Sequence, residues 1–143
     1  MSVTLISESP DETMEIGRKI ASFLKKGSIV ALNGALGSGK TCLVKGIAAG
    51  FGINEIITSP TFTIINEYQI PGISFYHIDA YRLNNEKEYD EIAGSEFFNQ
   101  DGIYVIEWSE KIQKSFPDDI ITVNFEIKET QTRIINIIGP DSI

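Results

Sequence analysis

The first residues whose types and spacing could do chemistry are three glycines followed by a lysine and a threonine. Eight consecutive residues fit the spacing G-x-x-x-x-G-K-[ST], which is typical of loops that bind nucleotide phosphates. They are Gly34, Ala35, Leu36, Gly37, Ser38, Gly39, Lys40 and Thr41. Glycines let such a loop turn tightly, so that its N–H groups form an anion site at the start of a helix. We expect Lys40 to reach the β- and γ-phosphates and the Thr41 hydroxyl to bind Mg²⁺.

The segments on either side of this loop follow the order that a phosphate-binding loop requires. Residues 28–32 are an apolar run of strand length, and residues 41–51 are predicted to form a helix that ends near two glycines. Cys42, at the start of this helix, is counted with the nucleotide-binding residues, and its thiol is interpreted as a packing group rather than a reactive one. The order of strand, loop and helix therefore supports a nucleoside triphosphate site.

Two carboxylates are candidates for the acidic residue that this site needs besides the loop. A phosphate loop needs an acid at the end of a neighbouring apolar strand, to hold Mg²⁺ or to orient the attacking water. Glu107 follows the apolar run 103–106, and Asp79 ends the run 74–78, which we expect to lie in a hairpin. The sequence leaves open which of the two touches the metal. His77, the only histidine, shares a strand face with Asp79 and is interpreted as packed and hydrogen-bonded rather than catalytic.

Other side chains have both a functional and a structural interpretation. Hydroxyl residues around a proline follow the predicted helix, where phosphate-loop proteins often keep a switch that senses the γ-phosphate; the alternative is a turn that leads into a strand. This candidate switch is Ser59, Pro60, Thr61 and Phe62. Trp108 is expected to lie against the nucleotide or, alternatively, to pack at the sheet edge. Arg82 is either an arginine finger supplied by this chain or a partner of nearby acids.

Length and composition narrow the classes of protein that fit. Residues 1–143 are predicted to form a single domain, and the single cysteine excludes an intrachain disulfide. The N-terminus lacks the pattern of a secretion signal, and no apolar run approaches the ~20 residues that span a bilayer, so we expect a cytosolic protein. The net charge of −8 argues against direct binding to a phosphate backbone. Any role with nucleic acid is therefore expected to pass through a partner.

The remaining patterns predict an α/β phosphate-loop NTPase fold, with three layers and a mixed parallel and antiparallel sheet. Periodicity, capping residues and turn residues define the elements. They are a strand at 3–6, a helix from Pro10 towards Gly27, the strand and helix around the loop, a hairpin at 61–70 and 73–79, a broken helix at 86–98, a strand at 102–106, and a terminal hairpin at 120–127 and 132–138.

Four motifs in this order resemble the TsaE (YjeE) family, small bacterial ATPases that act in the synthesis of threonylcarbamoyladenosine in tRNA. The motifs are residues 34–41, 59–62, 77–83 and 106–110. The resemblance implies that Lys40 and Thr41 bind ATP and Mg²⁺ and that residues 59–62 are a switch. It also implies that Asp79 is important for hydrolysis, that Glu107 is the metal-linked acid, and that Trp108 lies near the nucleotide.

The resemblance extends over essentially the whole chain and includes Arg133 in the last predicted strand. It also implies partners, because the family acts with the TsaB and TsaD proteins, of which TsaD transfers threonylcarbamoyl to adenosine 37 of tRNAs that read codons beginning with A. We therefore expect this chain to bind that pair and to couple ATP hydrolysis to its turnover. Ala35 stands where the family usually has an acid and Ser109 where it usually has proline; neither departure changes this expectation.

Two other functions fit the same loop. A small-molecule kinase would use it to transfer phosphate to a metabolite, although such enzymes normally close arginines over the triphosphate and this chain has three arginines in all. An ATP-gated assembly factor would bind ATP as a switch and hydrolyse little of it. A GTPase is disfavoured because neither N-K-x-D nor D-x-x-G occurs in the sequence.

Overall fold

The computed structural model of the chain describes residues 2–35, 37–53, 65–80, 101–107 and 119–139. The elements within these ranges are β1 (Ser2–Ser7), α1 (Pro10–Ala21), β2 (Ile29–Asn33), α2 (Lys40–Gly50), β3 (Ile65–Ile70), β4 (Ile73–Asp79), β5 (Gly102–Glu107), β6 (Ile121–Ile127) and β7 (Arg133–Ile138). Among the described residues, no helix is long and apolar enough to cross a membrane.

The strands form one mixed sheet, with the strand that leads into the glycine-rich loop at its centre. The order across the sheet is β1-β7-β6-β2-β5-β4-β3. β2 pairs in parallel with both β5 and β6, and β4 pairs in parallel with β5. The hairpins β3–β4 and β6–β7 are antiparallel, and β1 pairs antiparallel with β7. The mixed sheet and both predicted hairpins are therefore confirmed within the described residues, whereas residues 61–64 of the first hairpin and the predicted helix at 86–98 lie outside them.

Both helices pack on the sheet around one apolar core. Leu43 and Ile47 of α2 belong to the same buried cluster as Leu32 of β2. On the opposite face of the sheet, Tyr76 of β4 stacks on Tyr104 of β5 with ring centroids 5.1 Å apart. Every residue of β5 is buried, as expected for a central parallel strand. Burial on both faces holds the carboxyl ends of β2, β4 and β5 in a constant relation to one another.

The first helix begins where the sequence predicts. Ser9 is the N-cap, and its hydroxyl oxygen accepts a hydrogen bond from the Glu12 N–H at 3.1 Å. The Glu12 carboxylate accepts in turn from the Glu8 N–H at 2.7 Å. Pro10 takes the first helical position, where no N–H is needed. Local side-chain chemistry is therefore sufficient to start α1.

The end of this helix differs from the prediction. Apolar spacing suggests that the helix continues towards Gly27, but α1 ends at Ala21. The Ser22 hydroxyl donates to the Lys19 carbonyl at 2.6 Å, and the next N–H groups donate three residues back, which tightens and ends the last turn. Phe23 is consequently 61% exposed rather than part of the core. Helical spacing alone did not reveal this local competition for backbone hydrogen bonds.

The helices α1 and α2 meet backbone to backbone. A Cβ added to Gly17 of α1 would lie 2.5 Å from the Leu43 carbonyl oxygen. A Cβ added to Gly46 of α2 would overlap the Met14 carbonyl of α1. Glycine, which has no side chain, permits this close approach. The position of α2, and of the loop that precedes it, therefore depends on two small residues.

We predict that Gly46→Ala destabilises the protein. Alanine favours an exposed helix by up to about 1 kcal/mol over glycine, but the added methyl must push α1 and α2 apart. Overpacking of this kind typically costs about 1–3 kcal/mol. Urea denaturation followed by circular dichroism measures the change in the free energy of unfolding.

Lys45→Ala, on the exposed side of the same helix, is the matched control and should change stability little. A Gly46→Ala protein that is more stable than the parent would contradict the close contact, because the helix propensity of alanine would then act unopposed.

Candidate functional site

The glycine-rich loop joins the end of β2 to the start of α2, as the sequence predicts. Asn33 ends β2 and Lys40 begins α2. The N-cap residue between them, Gly39, has a φ of 107°, in the left-handed region that favours glycine. At Gly34, an added Cβ would lie 2.9 Å from the Cβ of Phe125 in β6. The loop therefore needs glycine both for its turn into α2 and for its contact with β6.

The start of α2 has the properties of an anion site. The Gly39 N-cap supplies no side-chain hydrogen bond, and the first turn, which holds Thr41 and the partly buried Cys42, contains no acidic residue. N–H groups in a first helical turn lack intrahelical acceptors and carry the positive end of the helix dipole. The Ser38 N–H donates to the Ala35 carbonyl at 3.1 Å and closes the turn before the helix. An anionic group at this helix start would therefore be stabilised.

Lys40 lies against the loop rather than in solvent. The residue is 4% exposed, and its Nζ donates to the Gly34 carbonyl at 2.7 Å. A hydrogen bond to a neutral carbonyl pairs one of the three donors of this buried ammonium. A cation is thus held beside the start of α2, and its expected contact with the β- and γ-phosphates stays a prediction.

The two candidate acids lie at the same edge of the sheet, one strand apart. Asp79 ends β4, Glu107 ends β5, and the two are paired in register. Glu107 is also in register with Leu32 of β2, the strand that leads into the loop. Carboxyl ends of parallel strands face the ligand crevice in such sheets. The topology therefore places Glu107 on the strand next to the loop strand and Asp79 one strand further away.

His77 and Glu107 form a buried hydrogen-bonded pair. Nε2 of His77 lies 2.6 Å from Oε2 of Glu107, and the two residues are 0% and 3% exposed. An ionised carboxylate only accepts hydrogen bonds, so in that form Glu107 accepts this bond from the Nε2–H of His77. Nδ1 of His77 is buried with no hydrogen-bond partner among the described residues. The prediction that His77 is packed and hydrogen-bonded is confirmed, and its partner is the candidate metal-linked acid.

The pair restricts the Glu107 carboxylate. A buried carboxylate is unfavourable unless hydrogen bonds replace those it made with water. The Glu107 backbone is held as well, because its carbonyl accepts from the Ala80 N–H at 3.1 Å. A side chain held at both its backbone and one carboxylate oxygen presents its other oxygen in a constant direction.

Arg133 contacts the loop, which the sequence does not predict. Arg133 begins β7, and its guanidinium donates to the carbonyls of Gly37 and Ser38. These contacts join residues 95 and 96 positions apart, so no local spacing reveals them. The one sign in the sequence is a cationic residue that begins a strand rich in isoleucine.

Several predicted site residues lie outside the described ranges, and their roles stay predictions. They are Leu36, Trp108, Arg82 and the candidate switch Ser59, Pro60, Thr61 and Phe62. Where the chain is described, no three side chains of His, Cys, Asp or Glu are grouped closely enough to hold a metal ion. Mg²⁺ bound with a nucleotide usually takes only one or two protein ligands besides phosphates and water. Thr41 and Glu107 therefore stay the candidate ligands.

The sequence matches the model of a protein family over most of its length. The family is described as "Threonylcarbamoyl adenosine biosynthesis protein TsaE", and the match spans residues 7–135. A Treponema pallidum protein named tRNA threonylcarbamoyladenosine biosynthesis protein TsaE is 38% identical over 132 residues, 92% of this chain and 97% of that protein. A protein of the same name from Haemophilus influenzae is 41% identical over 124 residues, 82% of this chain and 78% of that protein.

The fold also has a counterpart among solved structures. The crystal structure of Bacillus subtilis YdiB is similar with a TM-score of 0.81 and 30% sequence identity, over 97% of this chain and 86% of that one. The match to the family model includes the loop, both candidate acids and Arg133. The predicted fold class and family resemblance are therefore confirmed.

We predict that His77→Ala lowers the stability of the protein. The substitution leaves the buried Glu107 carboxylate without its donor, and removing one partner of a buried hydrogen bond costs about 1–3 kcal/mol. His77→Gln keeps an amide donor and should lose less. Urea unfolding at neutral pH measures both variants.

A double-mutant cycle with Glu107→Ala isolates the interaction of the pair. Residues in direct contact show coupling energies of about 0.5–3 kcal/mol. If the two substitutions had additive effects on the free energy of unfolding, the side chains would be independent in solution and the hydrogen bond would not be supported.

Proposed function

Because the chain belongs to the TsaE family of threonylcarbamoyl adenosine biosynthesis, we propose that it is a Mg²⁺-dependent ATPase that works in this tRNA modification. In this proposal it binds the TsaB–TsaD pair and couples ATP hydrolysis to the modification of adenosine 37. The observation that carries the proposal is the loop at the start of α2, with Lys40 buried against it and Glu107 at the end of the adjacent strand.

The loop residues fit a nucleoside triphosphate. The start of α2 has no acidic residue and no side-chain cap, so a phosphate would meet unopposed N–H groups. Lys40 supplies a point charge for the β- and γ-phosphates. The Ser38 hydroxyl is buried with no hydrogen-bond partner among the described residues, and such a group is stabilised when a ligand oxygen or a water molecule pairs with it. These features support ATP as the ligand.

The donor set fits Mg²⁺ bound together with that nucleotide. Thr41 brings a hydroxyl in the first turn of α2, and Glu107 brings a carboxylate at the adjacent strand end. Hard oxygen ligands of this kind suit Mg²⁺. When bound, the ion would neutralise negative charge on the phosphates.

Hydrolysis is assigned to the two acids at this edge. A carboxylate at a strand end can orient a water molecule for attack, and positioned acid or base groups contribute roughly 10²–10⁴-fold to a rate. His77 acts through Glu107, whose carboxylate it holds by a hydrogen bond of 2.6 Å. Asp79, paired in register with Glu107, supplies the second carboxylate.

The charge of the chain supports an indirect role with tRNA. A net charge of −8 and a pI near 4.6 are unfavourable for binding a phosphate backbone. In the proposal TsaB and TsaD hold the tRNA, and this chain supplies energy from ATP. Coupling requires that hydrolysis respond to the partners, so we expect slow hydrolysis by the isolated chain.

Substitutions in the site should separate binding from hydrolysis. Lys40→Ala should weaken ATP binding about tenfold or more, because a charge-assisted contact to phosphate is lost. Asp79→Ala and Glu107→Gln should bind ATP but hydrolyse it about a hundredfold more slowly. Calorimetric titration and phosphate release measure the two properties.

Arg18→Ala, on the exposed side of α1, is the control for these variants. If only Lys40→Ala had an effect, the protein would be an ATP-gated switch rather than an ATPase. A phosphorylated metabolite formed from labelled ATP would instead indicate a kinase.

We predict that purified TsaB and TsaD accelerate ATP hydrolysis by this chain. The expected result is a higher rate of phosphate release with both proteins present than with either one, since the coupled state requires the pair. Glu107→Gln serves as the inactive control and should stay slow in the same mixture. An equal rate with and without TsaB and TsaD would contradict coupling while leaving the ATPase assignment intact.

A further inference from the structure

Arg133 connects the phosphate loop to the β6–β7 hairpin. Nε donates to the Ser38 carbonyl at 3.2 Å, and Nη2 donates to the Gly37 carbonyl at 3.3 Å. Nη1 donates to three carbonyls of the hairpin, those of Glu129 at 2.9 Å, Thr130 at 3.1 Å and Thr132 at 3.1 Å. One guanidinium therefore joins two backbone segments that are far apart in the sequence.

The hairpin side of this connection is rigid. Arg133 is paired with Ile127 of β6 and with Ser7 of β1, so its backbone is held on both sides. The Lys128 N–H donates to the Thr132 carbonyl at 3.0 Å and closes the hairpin. A guanidinium has a planar set of donors whose directions are constant relative to one another. Arg133 can therefore transmit the position of the hairpin to the loop.

The loop side of this connection lies between two glycines, beside which the peptides can rotate. Gly37 and Gly39 have φ values of 80° and 107° and flank Ser38. Glycine adopts such angles and their opposites with similar ease, so the peptides beside it can rotate. In a planar trans peptide, the carbonyl and the following N–H point in opposite directions. A bond that holds the Ser38 carbonyl therefore also sets the direction of the Gly39 N–H, away from Arg133.

The Gly39 N–H is available to a ligand. No acceptor for it occurs among the described residues, whereas the Ser38 N–H is already bonded to the Ala35 carbonyl. We propose that Arg133 is a positioning residue, which holds the Gly37 and Ser38 peptides so that the Gly39 N–H is directed at an incoming phosphate. This inference rests on the proposed binding of a nucleotide at the loop.

Arg133 also brings a charge close to the loop. Its partners in the described part of the chain are neutral carbonyls, and it forms no ion pair there. An attraction between this charge and the triphosphate would act without any effect on peptide orientation. A lysine at this position distinguishes the two roles. It preserves the charge but lacks the planar donors that bridge the two segments.

The test compares Arg133→Lys and Arg133→Met with the parent chain and with Lys128→Met. Lys128 is exposed in the same hairpin, and its side chain makes no contact with the loop among the described residues, so Lys128→Met changes the net charge equally while leaving the loop contacts intact. Calorimetric titration gives the affinity for ADP and for Mg-ATP, and steady-state assays give KM and kcat. Amide NMR of the nucleotide-free protein reports on the Gly39 N–H directly.

Positioning predicts that both Arg133 variants bind nucleotide about tenfold or more weakly, because misplaced groups lose most of their binding contribution. KM for ATP should rise while kcat at saturation changes little, as expected when an interaction common to ground and transition states is lost. The Gly39 amide resonance should shift or broaden in both variants. Lys128→Met should match the parent in all three measurements.

Parent-like affinity in Arg133→Lys would overturn the positioning role and leave only a charge effect. Parent-like affinity in Arg133→Met would overturn any role of this residue in binding. If circular dichroism shows that Arg133→Met is unfolded, Arg133→Lys decides the question. If the parent chain binds no nucleotide, the proposed function fails, whereas loss of binding in Lys40→Ala with normal binding in the Arg133 variants would contradict this inference alone.

Discussion

The backbone-to-backbone contact of α1 and α2 determines where the glycine-rich loop lies. Gly17 and Gly46 allow the two helices to meet with no side chain between them. α2 follows the loop directly, with Gly39 as its N-cap and Lys40 as its first residue, so a displacement of α2 would move the loop as well. Close packing of this kind has few alternative arrangements, because interiors are dense and compress little. The geometry of the candidate site therefore depends on a contact that does not touch it.

The remaining parts of the site are held by contacts with neighbouring elements, one of them close packing and the others hydrogen bonds. Gly34 packs against Phe125 of β6, and Arg133 of β7 holds the loop from the outside. His77 of β4 holds Glu107 at the end of β5. Buried polar groups specify a structure only when they are paired, and these pairings join separate strands. The site is thus prepared by the sheet before any ligand is present, which is the arrangement that favours tight binding of an anion.

The sequence predicted the elements around the loop better than their ends. Strand, loop and helix occur in the predicted order, and Pro71 and Gly72 do join two antiparallel strands. These signals are local, since a turn or a helix start depends on neighbouring residues. The prediction for the end of α1 was wrong, because Ser22 competes for the backbone of the last turn. The spacing of apolar residues does not predict this side-chain hydrogen bond.

By itself, the sequence determined the phosphate-loop motif, the family and the alternation of strands and helices. Each depends on residue types at short spacing, where backbone conformation and side-chain preference act directly. Only the tertiary structure decided that Glu107 is paired with His77 and lies beside the loop strand, and that Arg133 contacts Gly37 and Ser38. These contacts follow from the order of the strands and from the register between strands far apart in the sequence, which depend on which faces the whole sheet buries.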